Sequence, residues 1–225
     1  MPDHWQTARF YAILDTGYVQ PSQWKAKARA LIEGGAGLLQ IRAKKESHTT
    51  RLALAEEVLP FCRNAYIPLI INDDLDCALA LPDAGLHVGQ DDLPASEARA
   101  RLGHNRLLGL STHSLEQARG AIAQADYLDY FAVGPVFATA TKPDYTPVGL
   151  QLVRDVAQLN PPLPFFCIGG IHRRNVGEVI AAGAKQVVVV SDVLTATDSA
   201  AAARELSGAT EQSSTDDRGR SSLPA

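Results

Sequence analysis

The chain has 225 residues, of which 46 % are hydrophobic and 20 % charged, and its formal net charge is −4. This is the composition of a soluble globular chain, and the acidic balance argues against nucleic-acid binding through a basic face. No apolar run approaches the ~20 residues needed to cross a bilayer. The opening MPDHWQTARF has no basic stretch leading into an apolar one, so export is not expected. Cys62, Cys77 and Cys167 form no CxxC pair, which fits buried, reduced thiols in the cytoplasm.

Taken in order, eight short apolar or β-branched runs read as strands: Phe10–Leu14, Leu38–Ile41, Leu69–Ile71, Gly85–Val88, Leu107–Leu110, Tyr127–Val133, Phe165–Ile168 and Val187–Val190. Most are continuous rather than alternating, as in parallel strands covered by helices. Helical faces recur between them, through Trp24, Ala28, Leu31 and Ile32, through Leu52, Ala55 and Leu59, and through Val176, Val179 and Ile180. Ser114 and Gln117 have capping-box spacing, and Gly183 has the position of a left-handed helix stop. Eight β–α units in one composition regime predict a single (β/α)8 TIM barrel over residues 1–206. The competitor, a doubly wound sheet, usually shows a Gly-rich fingerprint after its first strand, and Leu14-Asp15-Thr16-Gly17 is not one. Residues 207–225 are rich in Ser, Thr, Asp, Gly and Arg, and are expected to form a disordered tail.

In a barrel, chemistry gathers where the strands end. Gln40, Arg42 and Lys44 alternate along one extended segment and so share a side, which suits a phosphate or pyrophosphate. A solvated strand end with surface cations is the plain alternative. Asn72, Asp73 and Asp74 follow the third strand, where Asp74 can serve as a helix cap. Asp91 and Asp92 follow the fourth, adding oxygen donors suited to Mg2+. His87, inside the fourth strand, reads as a packed or hydrogen-bonded core histidine rather than a ligand, and no Cys/His spacing suggests zinc. Ser111 has no nucleophile-elbow setting, so its hydroxyl is expected to bond a substrate. Thr139, Thr141 and Lys142 form a loop pattern suited to phosphate, and Gly169, Gly170 and Ser191 allow close anion approach at strands seven and eight. Two anion sites at one barrel mouth imply two phosphorylated substrates.

Seven pieces in order carry a resemblance: Gln40-Ile-Arg-Ala-Lys44, Ile71-Asn-Asp73, Gly85-Leu-His-Val-Gly-Gln-Asp-Asp92, Gly109-Leu-Ser-Thr-His113, Gly134-Pro-Val-Phe-Ala-Thr-Ala-Thr-Lys142, Ile168-Gly-Gly-Ile171 and Val189-Val-Ser191. Across about residues 8–205 the chain resembles the thiamine-phosphate synthase (thiamine-phosphate pyrophosphorylase) family, whose fold is a TIM barrel. The resemblance implies a transferase that joins 4-amino-2-methyl-5-hydroxymethylpyrimidine diphosphate to 4-methyl-5-(2-hydroxyethyl)thiazole phosphate, releasing pyrophosphate. The route would be dissociative, with the thiazole nitrogen capturing a pyrimidine methylene cation.

Carried residue by residue, the resemblance makes Gln40, Ile41, Arg42, Ala43, Lys44 and Asn72 the binding set for the pyrimidine diphosphate. Asp73 and Asp92 would hold Mg2+, while Arg42, Lys44 and Lys142 would neutralise the departing pyrophosphate. Ser111 would contact substrate near the reacting centre. Thr139, Ala140, Thr141, Gly170, Val190 and Ser191 would hold the thiazole phosphate. The partners implied are two phosphorylated small molecules, with neither nucleic acid nor membrane, and a homo-oligomer stays open. The rival readings are a thiazole tautomerase on the same barrel and a non-catalytic regulator that binds thiamine precursors.

Overall fold

A computed structural model of the chain describes residues 3–139, 141 and 145–220. The strands are β1 (Phe10–Asp15), β2 (Leu38–Arg42), β3 (Leu69–Asn72), β4 (Gly85–Val88), β5 (Leu108–Thr112), β6 (Tyr130–Val133), β7 (Phe165–Cys167) and β8 (Val187–Val189). Each pairs in parallel with the next, and β8 returns to β1, closing the barrel. The helices between them are α1 (Trp24–Glu33), α2 (His48–Asn64), α3 (Leu75–Ala80), α4 (Ala95–Leu102), α5 (Leu115–Ala123), α6 (Gly149–Gln158) and α7 (Val176–Ala181). The short α8 (Ser191–Leu194) and the long α9 (Ser199–Arg220) follow β8.

All eight expected strands are present; β5 starts one residue late, at Leu108, and β6 starts three residues late. The run from Tyr127 was expected to be extended, yet β6 begins at Tyr130. The amides of Tyr127 and Leu128 both donate to the Gln124 carbonyl, so those residues close the turn after α5. Asp129 then accepts from Arg99 Nη2 at 2.6 Å and from the Leu108 amide at 2.7 Å, which fixes where the strand can start. The helix signals hold. Ser114 accepts from the Gln117 amide, Gln117 Oε1 accepts from the His113 amide, and Gly183 stops α7 at φ +105°. Helix α9 runs through the composition boundary at residue 206. Ser207 Oγ donates to the Gly35 carbonyl at 3.1 Å, and Thr210 is buried.

Because strand side chains alternate, each strand divides between two cores. Phe10, Leu39, Ile41 and Phe131 are fully buried, and in β2 the odd-numbered positions lie opposite Gln40. Inside the barrel, Tyr11, Tyr130 and Phe166 pack edge to face, with ring centres 5.3–5.9 Å apart. This aromatic floor closes the lower barrel and leaves the mouth above it. Gly109 on β5 makes the floor possible: a Cβ there would lie 2.2 Å from the Tyr130 ring and 2.6 Å from His87 Nδ1.

Candidate functional site

At the C-terminal ends of the strands lie two adjoining chambers. The first, about 840 Å3 counting its open mouth, reaches from Gln40 and Asn72 across to Thr139, Gly170, Val190 and Ser191. The second, about 900 Å3 on the same count, is lined by Lys44, Asp73, Asp91 and Asp92. Arg42, Asn72, His87, Ser111, His113 and Thr141 line both. Each chamber has the size of a small-molecule pocket.

On β2, Gln40 and Arg42 line the mouth while Ile41 points away and is fully buried, as the period-two geometry requires. Ala43 is likewise buried outside both chambers, and its carbonyl accepts from Arg51 Nη2 at 2.9 Å. Arg42 is held by Asp15 at the end of β1, Nη1 to Oδ2 2.6 Å, and that carboxylate also accepts from the Gly17 amide. The Thr16 amide donates to the Arg42 carbonyl, so the β1 loop grips this arginine at both ends.

Lys44 Nζ lies 2.8 Å from Asp73 Oδ2. Asp73 adopts φ +62°, a conformation unusual for a residue with a Cβ, and its amide donates to the His87 carbonyl. Asp74 serves structure instead: it caps α3 through the Cys77 amide and pairs with Arg51 and His48. Partial burial would raise its carboxyl pKa, but those hydrogen bonds and the Arg51 charge hold it below the usual value. Asp92 Oδ2 accepts from the Gly89 amide at 2.7 Å.

The far wall is built from backbone. The Val136 and Phe137 amides donate to the Ile168 and Gly169 carbonyls, zipping the β6 and β7 loops together. Gly170 has φ +63°, and a Cβ there would fall 2.6 Å from the Ala138 carbonyl oxygen, so glycine is required. Asn175 fastens this turn by donating to the Gly170 carbonyl and accepting from the His172 amide. Thr141 Oγ1 lies 2.8 Å from Tyr18 Oη, linking the β6 loop to the β1 loop. Ala140 and Lys142, both expected in the site, lie outside the described residues.

Among the described residues no group of three His, Cys, Asp or Glu side chains could hold a metal ion by itself. Asp73 and Asp92 nevertheless line one chamber, with Asp91 beside them. Mg2+ commonly takes one or two carboxylates and completes its shell with waters and substrate phosphates. The donors present fit that kind of site.

His87, expected as a packed or hydrogen-bonded core histidine, is buried and hydrogen-bonded, and it also lines both chambers; its Nε2 is 2.9 Å from Ser111 Oγ and its Nδ1 is 3.1 Å from Tyr130 Oη. Tyr11 and Tyr130 gave no signal beyond apolar strand runs. A polar tip at an inward strand position was the one available cue.

A family profile described as thiamine monophosphate synthase matches residues 10–193. The thiamine-phosphate synthase of Chloroflexus aurantiacus is 43 % identical over 199 residues, covering 88 % of this chain and 90 % of the relative. That of Shouchella clausii is 41 % identical over 184 residues, covering 81 % of this chain and 87 % of the relative. Among solved structures, a thiamine phosphate pyrophosphorylase from Pyrococcus furiosus superposes with a TM-score of 0.83 at 29 % identity, covering 93 % of this chain and 98 % of that one.

Proposed function

The chain belongs to the thiamine monophosphate synthase family, and we infer that it is a transferase that makes thiamine phosphate. It joins the pyrimidine diphosphate to the thiazole phosphate and releases pyrophosphate. The observation that carries this reading is the pair of adjoining chambers, one lined by cations and carboxylates and the other by small residues and hydroxyls, with six residues common to both.

In this reading the diphosphate lies in the acidic and basic chamber. Breaking the carbon–oxygen bond moves negative charge onto the departing pyrophosphate, so groups that meet this charge lower the barrier. Arg42, preset by Asp15, offers a rigid guanidinium fork, and Lys44 offers a mobile point charge. By the family pattern Lys142, outside the described residues, would add a third cation. Gln40 and Asn72 orient the pyrimidine end, and Ser111 bonds substrate where the chambers meet. The thiazole phosphate sits against Thr139, Thr141, Gly170, Val190 and Ser191, where hydroxyls and a glycine without a side chain suit the close approach of an anion. Two reactants held face to face need no protein nucleophile; their orientation supplies much of the remaining rate advantage.

Asp73 and Asp92 would hold Mg2+. That ion, when bound, supplies Lewis-acid neutralisation of the pyrophosphate. Lys44, paired with Asp73 at 2.8 Å, stands where its charge would also meet phosphate oxygens.

No helix among the described residues is long and apolar enough to cross a membrane. The site of action is cytoplasmic in this reading, supported by three cysteines that are all buried free thiols.

The test is to incubate the protein with both phosphorylated precursors and follow pyrophosphate and thiamine phosphate with and without Mg2+. Equal amounts of both products, appearing only with metal, are expected. Isomerisation of a thiazole precursor without the diphosphate, or binding without product, would replace this reading. Asp73→Ala is expected to abolish metal-dependent turnover, and near-normal turnover would remove that residue from the metal shell.

A further inference from the structure

A continuous line of hydrogen bonds crosses the barrel interior beneath the mouth. Gln40 Nε2 donates to Tyr11 Oη at 2.7 Å. Tyr11 Oη and Tyr130 Oη are 3.0 Å apart. Tyr130 Oη is 3.1 Å from His87 Nδ1, and His87 Nε2 is 2.9 Å from Ser111 Oγ. The line thus joins β2, β1, β6, β4 and β5, and all but its last member are buried.

The chemistry of its first member sets the direction of the rest. An amide nitrogen can only donate, so Tyr11 Oη accepts. A phenol has one proton, and among the described residues the acceptor within reach of Tyr11 Oη is Tyr130 Oη, so the arrangement that leaves no buried proton unpaired has Tyr11 donating to it. Tyr130 spends its own proton on the other side, at His87 Nδ1. A neutral imidazole that accepts at Nδ1 carries its proton on Nε2. His87 therefore donates to Ser111 Oγ. Having accepted there, Ser111 keeps its hydroxyl proton for the cavity, and it lines both chambers.

We propose that Tyr11, Tyr130 and His87 are positioning residues that fix Ser111 as a hydrogen-bond donor to the oxygen departing with the pyrophosphate. This inference rests on the proposed transferase reaction for its consequence, though not for its geometry. A donor held at the junction of the two chambers faces the bond that must break between them. It strengthens its bond as charge builds on that oxygen, so its effect falls on kcat rather than on substrate affinity. Gly109 is part of the arrangement, because any Cβ there would collide with both Tyr130 and His87. Burial disfavours ionisation of both tyrosines, which keeps each hydroxyl proton available to the line.

Two measurements test it. In the first, the full-length protein is labelled with 15N-histidine, and His87 is assigned by its loss in His87→Gln. Long-range proton–nitrogen NMR then reads the tautomer without substrate. The Nε2–H form is expected in the wild type and a mixture of forms in Tyr130→Phe; an Nδ1–H form in the wild type overturns the proposal. In the second, Tyr130→Phe is expected to lower kcat about tenfold, the loss of one hydrogen bond's orientation. KM for each substrate should stay within about twofold. In a Ser111→Ala background the same substitution should change nothing further, because the donor it serves is gone. Losses that multiply in the double variant, or a rise in KM at constant kcat, overturn the proposal. A wild-type protein that releases no pyrophosphate would instead overturn the transferase reading, while the tautomer measurement still decides the direction of the line.

Discussion

Asp15 and Gly109 show how single residues set this site without standing at its centre. Asp15 is 3 % exposed and grips Arg42, so the guanidinium reaches the mouth in one orientation. Asp15→Asn keeps the shape but removes the charge that holds the fork. Its kcat/KM for the pyrimidine diphosphate is expected to fall about tenfold or more in steady-state assays, with the thiazole phosphate KM unchanged. An equal effect on both substrates would mean the mouth as a whole had shifted. Gly109→Ala acts on packing. A methyl 2.2 Å from the Tyr130 ring has no space, so thermal or denaturant unfolding should show a loss of about 1–3 kcal/mol. Unchanged stability would mean that the aromatic floor can yield.

Among elements, the β7 and β8 loops are joined through side chains. Arg173, after β7, donates from its amide and Nε to Asp192 Oδ2 at 3.1 and 2.9 Å, and from Nη1 to Glu205 at 3.1 Å. One arginine thus ties the glycine turn to α8 and α9. Partial burial would raise the Asp192 carboxyl, but hydrogen bonds from the Arg173 side chain and amide, with its charge, hold the pKa below normal. A lowered carboxylate pKa stabilises the fold above the unfolded value of about 3.9 and loses that contribution as pH falls through the folded value. Arg173→Ala should therefore lower Tm at pH 7, and the difference from wild type should shrink below about pH 4. A gap that stayed constant into acid would assign the effect to packing by the arginine stem.

For the molecule as a whole, α9 covers the side of the barrel where β8 closes on β1. This helix packs along α1 and α7, and its residues Ala202, Ala203 and Leu206 are buried. Ala203 lies against Gly34, where a Cβ would fall 2.3 Å away, so the two helices meet through small residues. Packing continues to Thr210. Two truncations separate the packed part from the rest. Ending the chain after residue 210 is expected to leave Tm and turnover unchanged, whereas ending it after residue 198 should lower Tm by several degrees through loss of buried alanines and leucine. Activity lost on the shorter deletion alone would give residues 211–225 a part in the site.

The eight strands, their order and the helix stops could be read from the sequence, because apolar runs, turn residues and capping spacing are local. The same held for the polar groups at the strand ends: Gln40, Arg42, Asn72, Asp73 and Ser111 all reach the mouth. Ile41 and Ala43 shared a motif with them, but the pleat turns alternate residues away, and a motif does not say which atoms face inward. The β6 start was misplaced because Tyr127 and Leu128 have strand-like side chains while their amides are drawn to Gln124. What required the closed barrel was the meeting of Tyr11, Tyr130 and His87, which lie up to 119 positions apart in the chain. No local pattern carries such a contact. It exists because parallel strands wrap into a ring and Gly109 leaves room at its centre.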